Sequence, residues 1–345
     1  HWLFEPQSTN LITYSSDFTQ SYWRKDKVTV TANSIIAPSG ELDASLIQET
    51  VYTSGIPSFD LLSSITLSTG SHTFTFYVKN NNGRYLGISF GSNAQRVRTN
   101  FDFNTNTFKT LIFNGTTTGS ASFTALGDYY RISITATFPS STAADTVIMP
   151  LATDTYPFYA FQNSDNRSFY LWGAQVEASS FATSYIPTNG SPATRLQDAA
   201  SGAGSSGLIN STEGVLYAEI AALANSGTFR LIGLNDGTAN NLVYIGYDAT
   251  ANRISFSVRV ATTYVFLNHY NISDATDFSK VALKWKANDF ALWYNGVEVS
   301  TDSSGVVFPT NTLNKLSFDR AVALPFKGKT KCVAVFKEAL TDAEL

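Results

Sequence analysis

Two carboxylates at alternate positions, Glu41 and Asp43 in Glu41-Leu42-Asp43, come closest to hydrolytic chemistry in this chain, since cleaving a glycosidic bond takes one carboxyl as acid and a second as nucleophile or base. They follow Pro38-Ser39-Gly40, a loop signal, and no third acid stands near them, so no catalytic pair is read there. The histidines are His1, His72 and His269, too dispersed for a metal cluster or a nucleophile–base relay. His72 shares strand parity with Phe74, Phe76 and Val78, which reads as a core or strand-end position. Asp102-Phe103-Asn104-Thr105-Asn106 begins like a calcium loop but lacks the later glycine and glutamate. A hairpin fits it better, because Asn tolerates the turn geometry between two aromatic arms. No catalytic residue and no cofactor are expected, and a structural calcium has no support in the sequence.

Binding is better served. Alternation along the strand-like runs of the first half sends Phe74, Phe76, Leu86, Ile88, Phe90, Val97, Phe101, Phe103, Ile132, Ile134 and Phe138 inward. The opposite parity carries Tyr77, Tyr85, Arg96, Arg98, Asn100, Asp102, Tyr129 and Arg131. Aromatic faces pack on the C–H patches of sugars while planar hydrogen-bonding groups read their hydroxyls, so Tyr77, Tyr85, Arg96, Arg98, Asn100, Tyr129 and Arg131 form the candidate ligand face. Tyr and Arg are also enriched at subunit interfaces and decorate ordinary solvated strands, and parity alone leaves those two alternatives open. In the second half the same reasoning buries Ile254, Phe256, Val258, Val281, Leu283 and Trp285 and leaves Arg230, Arg259, Lys284, Lys286 and Trp293 outside, a less aromatic set. Trp23 and Trp172 read as packing residues, the latter sharing a face with Tyr170, Ala174 and Val176.

The elements that hold these residues are short strands. Aromatics and charged residues each make up 14% of the 345 residues, a balance that suits many strands with polar turns and disfavours helices. Strands are expected at Val28–Thr31, Ser45–Val51, His72–Val78, Tyr85–Phe90, Gln95–Phe103, Phe108–Phe113, Tyr129–Phe138 and Phe169–Glu177, and again at Val215–Ile220, Phe229–Leu234, Leu242–Tyr247, Ile254–Val260, Tyr264–Leu267, Lys280–Lys286, Phe290–Tyr294, Leu316–Phe318 and Lys331–Phe336. A weak internal echo at an offset of roughly 140–160 residues suits duplication of a whole domain. The fold class expected is all-β, with two tandem antiparallel jelly-roll sandwiches. The boundaries are 1–190 for the first module, 191–207 for a Gly/Ser/Ala/Pro linker, and 208–345 for the second. Composition leaves the linker undecided between a hinge and a docked strap, with Arg195-Leu196 as the group that could pin it.

Lys and Arg number 23 against 27 Asp and Glu, a net charge of −4 with the bases scattered, so neither nucleic acid nor an anionic membrane is an expected partner. No apolar run approaches the roughly 20 residues of a membrane span and no signal peptide is evident. The chain opens His1-Trp2 inside a strand-like run, the pattern of a fragment or processed product. The one cysteine, Cys332, lies in the apolar run Cys332-Val333-Ala334-Val335-Phe336 and reads as a buried thiol.

Two segments carry a resemblance. Phe169-Tyr170-Leu171-Trp172-Gly173-Ala174-Gln175-Val176-Glu177 followed by Phe181-Ala182-Thr183-Ser184-Tyr185-Ile186-Pro187-Thr188, and the opening Trp2–Phe18 with Tyr22-Trp23, resemble the closing and opening signatures of modules in phage tail, fibre or decoration proteins that carry concanavalin A-like or carbohydrate-binding jelly rolls. Ala291-Leu292-Trp293-Tyr294-Asn295-Gly296 is similar to the hairpin of laminin G-like modules, its Asn-Gly pair marking a tight turn. The resemblance implies a non-catalytic virion structural protein, extracellular on the particle surface, that presents carbohydrate-binding-module-like and laminin G/concanavalin A-like jelly rolls. Its expected partners are glycans or cell-surface polysaccharide and other virion proteins, and its expected assembly is a homotrimer. A polysaccharide depolymerase and a purely structural spacer are the rival readings.

Overall fold

The computed structural model describes residues 1–50, 60–151, 166–321 and 323–345. All regular structure among them is strand, and contacts divide the chain into two compact units, Gln7–Leu196 and a second that joins His1–Pro6 to Gln197–Leu345. The sequence drew its boundaries at 190 and 208, with His1 in the first module. Val51, the last residue of one expected strand, lies outside the described residues.

The Gln7–Leu196 unit is a sandwich of two antiparallel sheets. One has the order β12-β13-β7-β15-β5-β4 (Thr118–Leu126, Tyr129–Phe138, Gly70–Asn80, Ser168–Glu177, Ala44–Glu49, Val28–Ile35). The other runs β10-β9-β8-β14-β6-β3 (Thr107–Phe108, Arg96–Asp102, Tyr85–Gly91, Thr142–Leu151, Asp60–Leu67, Arg24–Asp26), with β11 (Ile112–Asn114) also paired to β9. Period-two alternation explains the arrangement: Phe74, Phe76 and Val78 of β7 and Ile132 and Ile134 of β13 face Leu86, Ile88 and Phe90 of β8 and Val97 and Phe101 of β9 in one core. Every residue assigned inward by parity is there, Phe103 at its margin. His72 is buried at the end of that row, stacked obliquely on Phe138, and its burial holds the imidazole below its ordinary value. The expected hairpin at Asn104–Asn106 is present: β9 pairs β10 with Asp102 opposite Thr107, and Asn106 takes a left-handed φ of 53°.

The two signature segments close this sandwich on each other. The Asn10 side chain, fully buried, donates to Ala174 O (3.2 Å) and Ile186 O (2.9 Å) and accepts from Ile12 N and Val176 N (3.1 Å each). Ala174 N donates to Ser15 O (2.7 Å), and Thr188 N to the Ser15 hydroxyl (2.8 Å). Those contacts require the β15 backbone to turn out of register, and it does so between Trp172 and Gln175, with Gly173 at φ 65°. A bulge shifts parity by one. Phe169, Leu171, Ala174 and Val176 therefore reach the core, while Trp172 lies outside it, against Tyr77 and Tyr185. The expected single face of Tyr170, Trp172, Ala174 and Val176 is broken at that point. Trp23 is buried as expected, its Nε1 donating to Tyr14 O (2.8 Å).

The second unit is also a sandwich. Its sheets run β1-β26-β17-β22-β23-β24 (Trp2–Phe4, Gly328–Phe336, Glu213–Ala222, Ser279–Lys286, Phe290–Tyr294, Val297–Asp302) and β21-β20-β19-β18-β25 (Thr263–Asn271, Arg253–Val260, Leu242–Tyr247, Arg230–Asn235, Lys315–Ser317). The core holds Leu216, Ile232, Ile245, Phe256, Leu283 and Trp285. Phe4 stacks on Phe318 at 4.3 Å, which is why the first six residues belong here. Asn295 and Gly296 both have positive φ, 51° and 79°, the tight turn expected of that pair. Arg230 and Lys284, expected outside, are buried. Cys332, expected buried, is exposed, because Val333 and Val335 take the core side of β26.

The Gly/Ser/Ala/Pro segment is a strap bound to both neighbouring sequences. In the first unit β16 (Ala193–Arg195) pairs β2 (Ser8–Asn10). In the second, Asp198 N donates to Glu5 O (3.0 Å), Phe318 N to Ala200 O (2.7 Å), and Ala203 pairs Leu316.

Asn10→Ala strands four buried partners at once, and each unmet buried group costs on the order of 1–3 kcal/mol. Urea unfolding is expected to show a loss of about 3 kcal/mol or more in the first unit's transition. A loss under about 0.5 kcal/mol, the scale of a neutral surface change, would mean that the clamp does not hold the sandwich closed.

Candidate functional site

The sequence-derived ligand face is not one surface. Tyr77, Tyr129 and Arg131 lie on β7 and β13, whereas Tyr85, Arg96, Arg98 and Asn100 lie on β8 and β9, strands of the opposed sheet. All point away from the core, but in opposite directions. Parity separates in from out and does not say which sheet a strand joins, so two outer faces were merged into one.

The chain's own residues occupy both faces, from loops and β15 on the first and from neighbouring strands on the second. Tyr77 packs on Trp172 (ring centroids 5.0 Å apart), and Trp172 on Tyr185 (4.4 Å). Arg131 lies over the Tyr77 ring at 5.6 Å and donates from Nη2 to Thr183 O. The Tyr129 hydroxyl donates to Ile36 O (2.9 Å), and Trp172 Nε1 to Asp43 Oδ2 (2.9 Å). On the other face Arg98 donates to Asn114 Oδ1 (2.5 Å), and Arg96 to Gly91 O and Asp145 Oδ2. Tyr85 packs with Val147, Met149 and Leu151. Asn100 is buried, like Tyr77, Tyr85, Arg96 and Tyr129; Arg98 and Arg131 are half-buried. Asp43, weighed as half of a carboxylate pair, serves as the acceptor that orients Trp172.

An open aromatic site stands instead on the second unit. On β17, β22 and β23 the core claims Leu216 and Ala218, Val281 and Leu283, and Leu292. Parity then sends Tyr217, Ala282 and Trp293 to the outer face, and register sets them side by side: Tyr217 is opposite Ala282, and Ala282 opposite Trp293. Alanine in the middle strand leaves a trough between two rings. The cleft there encloses about 190 Å³ and is lined by Tyr217, Lys280, Ala282, Trp293, Asn295, Gly296 and Leu345.

Polar groups are distributed unevenly around it. Asn295 is committed, its Oδ1 accepting from Lys280 N (2.8 Å). Trp293 Nε1 is shielded from solvent and has no hydrogen-bond partner among the described residues. Glu219, beside Lys280 in the register, is taken by Lys331 (2.8 Å), and the exposed Lys280 ammonium makes no ion pair among the described residues. Burial raises the Tyr217 phenol, with the Glu219 charge as the second cause, so the hydroxyl remains a neutral donor at physiological pH. A second cleft of about 220 Å³, between Ser206–Ser211 and Thr310-Asn311, has no aromatic wall. Asp248, buried, binds Arg253 Nε (2.7 Å) and His269 Nδ1 (2.8 Å), a closed polar cluster. Among the described residues no group of His, Cys, Asp and Glu has the arrangement of a metal site.

Sequence reasoning placed Trp293 outside but passed over Tyr217. The signal was present in Val215-Leu216-Tyr217-Ala218; what it lacked was the strand order that brings Tyr217 within one strand of Trp293.

Residues 216–345 match the laminin G-like family model described as the concanavalin A-like lectin/glucanases superfamily. Among solved structures the chain is similar to the native heptameric SAP-like pentraxin from Limulus polyphemus, at 13% identity over 42% of this chain and 71% of that one with a TM-score of 0.32. It is also similar to domains LG4-5 of the mouse laminin alpha1 chain, at 9% identity over 84% of this chain and 92% of that one with a TM-score of 0.30. At such scores neither likeness carries an argument about function. No curated protein matches the chain. The second unit is thus a concanavalin A-like jelly roll, and none of these comparisons points to a phage particle.

Burial, with the Asp43 charge as second cause, pushes the Tyr129 phenol up to about 12. An unfolded phenol titrates near 10, so the unfolded chain releases that proton first, and the stability Tyr129 contributes is whole below about pH 10 and lost as pH rises towards about 12. Denaturant titrations at the two ends of that window should show the wild type losing more stability than Tyr129→Phe. Equal losses would contradict burial of this hydroxyl.

Proposed function

We propose that the chain is a non-catalytic glycan-binding protein whose ligand site is the trough between Tyr217 and Trp293. The observation that carries this reading is the row Tyr217, Ala282 and Trp293 across three neighbouring strands, two rings flanking a small residue. Adjacent strands stand about 4.8 Å apart, so two rings separated by one strand have backbones roughly 9.6 Å apart. An aromatic face needs about 3.5–4 Å to the atoms it packs on, which leaves room for one pyranose ring between the walls. Tyr217 and Trp293 would cover its two C–H faces, and the Tyr217 hydroxyl and Lys280 would meet its oxygens. Concave sites with apolar walls and few polar groups are typical of small-ligand recognition.

The non-catalytic assignment is supported by the lining itself. None of the seven side chains around the trough is a carboxylate, and the nearest acidic side chain in register, Glu219, is held by Lys331. Display on a virion surface, as an adhesin among other virion proteins, rests on the resemblance of the opening and closing segments to phage modules. The three-fold assembly expected from that resemblance has no residue-level support in either unit.

Trp293→Ala and Tyr217→Ala are each expected to weaken glycan binding about ten-fold or more, and Ala282→Phe, which fills the floor, to abolish it. A loss of that size corresponds to about 1.4 kcal/mol. Glycan-array screening followed by calorimetric titration of the best oligosaccharide checks all three. Binding unchanged in Ala282→Phe, or release of shortened sugars from a bound polysaccharide, would overturn the assignment.

A further inference from the structure

The strand β12, Thr118–Leu126, is the outermost of its sheet and is exposed along almost its whole length. It pairs β13 over nine consecutive residues without a register shift. No backbone hydrogen bond leaves its other side among the described residues. Such an edge offers a row of open N–H and C=O groups, and natural sheets block it with short strands, bulges, charges or proline.

The remaining edges of both sandwiches are blocked in those ways. β1, β3, β10, β11 and β25 are three residues or shorter, and β3 is Arg24-Lys25-Asp26. β4, β21 and β24 each carry a register shift. β12 has neither device, and its sequence Thr-Gly-Ser-Ala-Ser-Phe-Thr-Ala-Leu contains no charge and no proline.

We infer that β12 is a self-pairing edge at which two copies of this chain join their sheets about a two-fold axis. The strand is self-complementary. Thr118, Ser120, Ser122 and Thr124 lie on its outer side, continuing hydroxyl rows already formed inside the sheet, where Ser71 bonds Thr137 (2.8 Å) and Thr73 bonds Thr135 (2.9 Å). Phe123 turns inward to Phe101 and Tyr130. An antiparallel partner must match outer residues with outer residues, because a one-residue slip exchanges the faces. For two copies of β12, the one register that does this and pairs every residue is centred on Ser122. It sets Ser120 opposite Thr124, Gly119 opposite Ala125, and Ala121 opposite Phe123. No like charges meet, Ser120, Ser122 and Thr124 face hydroxyls while Thr118 faces Leu126, and the partner covers part of the exposed edge of Phe123.

A single added strand buries less than a standard interface of about 1,600 Å², which places this contact among weak, reversible ones. That favours association visible only at high concentration, or reinforced where many copies are held together.

Sedimentation equilibrium of the full 37.5 kDa chain, from about 1 μM to about 1 mM so as to cover weak affinities, tests the inference. A monomer–dimer equilibrium is expected. Ser122→Lys puts two ammonium groups face to face on the axis and should weaken the dimer at least ten-fold; Ser122→Glu should do the same. Mixing the two variants should restore association, since the opposed residues are then of opposite charge, and that rescue separates an edge contact from a folding defect. A monomer throughout the range, or an oligomer of any order unmoved by Ser122→Lys, would overturn the proposal. The result is independent of whether the Tyr217–Trp293 trough binds sugar.

Discussion

A strand cannot send two successive side chains to the same side, so each ring committed to a sandwich core commits its neighbours to an outer face. Both units follow from that constraint. In the second, Leu216, Leu283 and Leu292 pack inward and thereby present Tyr217, Ala282 and Trp293 outward in register. The trough comes from large, small and large side chains in one row, and the core beneath it fixes the spacing. The two walls of the trough thus stand on strands whose inner faces are packed in the apolar core.

The same constraint explains the first unit, where it is deliberately broken. The bulge between Trp172 and Gln175 switches the faces of β15, keeps Val176 in the core and frees backbone groups to reach Asn10 and Ser15. Trp172 is thereby moved outside, where Tyr77, Tyr185 and Asp43 enclose it. Gly173 suits the turn because its φ of 65° lies in the left-handed region, and an added Cβ would come within 3.0 Å of the Tyr77 ring. The conspicuous aromatic signature of this chain is thus a closure device.

Most of the expected strands, the core residues, the Asn-Gly turn and the buried Trp23 were legible in the sequence because each depends on local alternation or turn chemistry; the expected strand Phe108–Phe113 is split into β10 and β11, and β6, β12, β14 and β24 were passed over. What escaped was non-local. Tyr77 and Tyr85 have the same parity but lie on opposed sheets, since jelly-roll connections cross between sheets and no short-range signal records which. The bulge inverted the face of Trp172, and a single Gly in a strand hints at that without fixing it. Cys332 sits in an apolar run yet faces out, because its neighbours Val333 and Val335 satisfy the core. Tyr217 became meaningful only once β17 and β23 were known to flank β22.

The trough is tested most directly by the indole N–H resonances of the five tryptophans, followed by NMR while an oligosaccharide that the chain binds is titrated. Trp293 forms a wall of the trough, so its signal is expected to shift in a saturable manner while those of Trp23, Trp172 and Trp285, enclosed in their packing, stay in place. A shift at Trp172 with Trp293 unmoved would place recognition on the first unit and contradict the site.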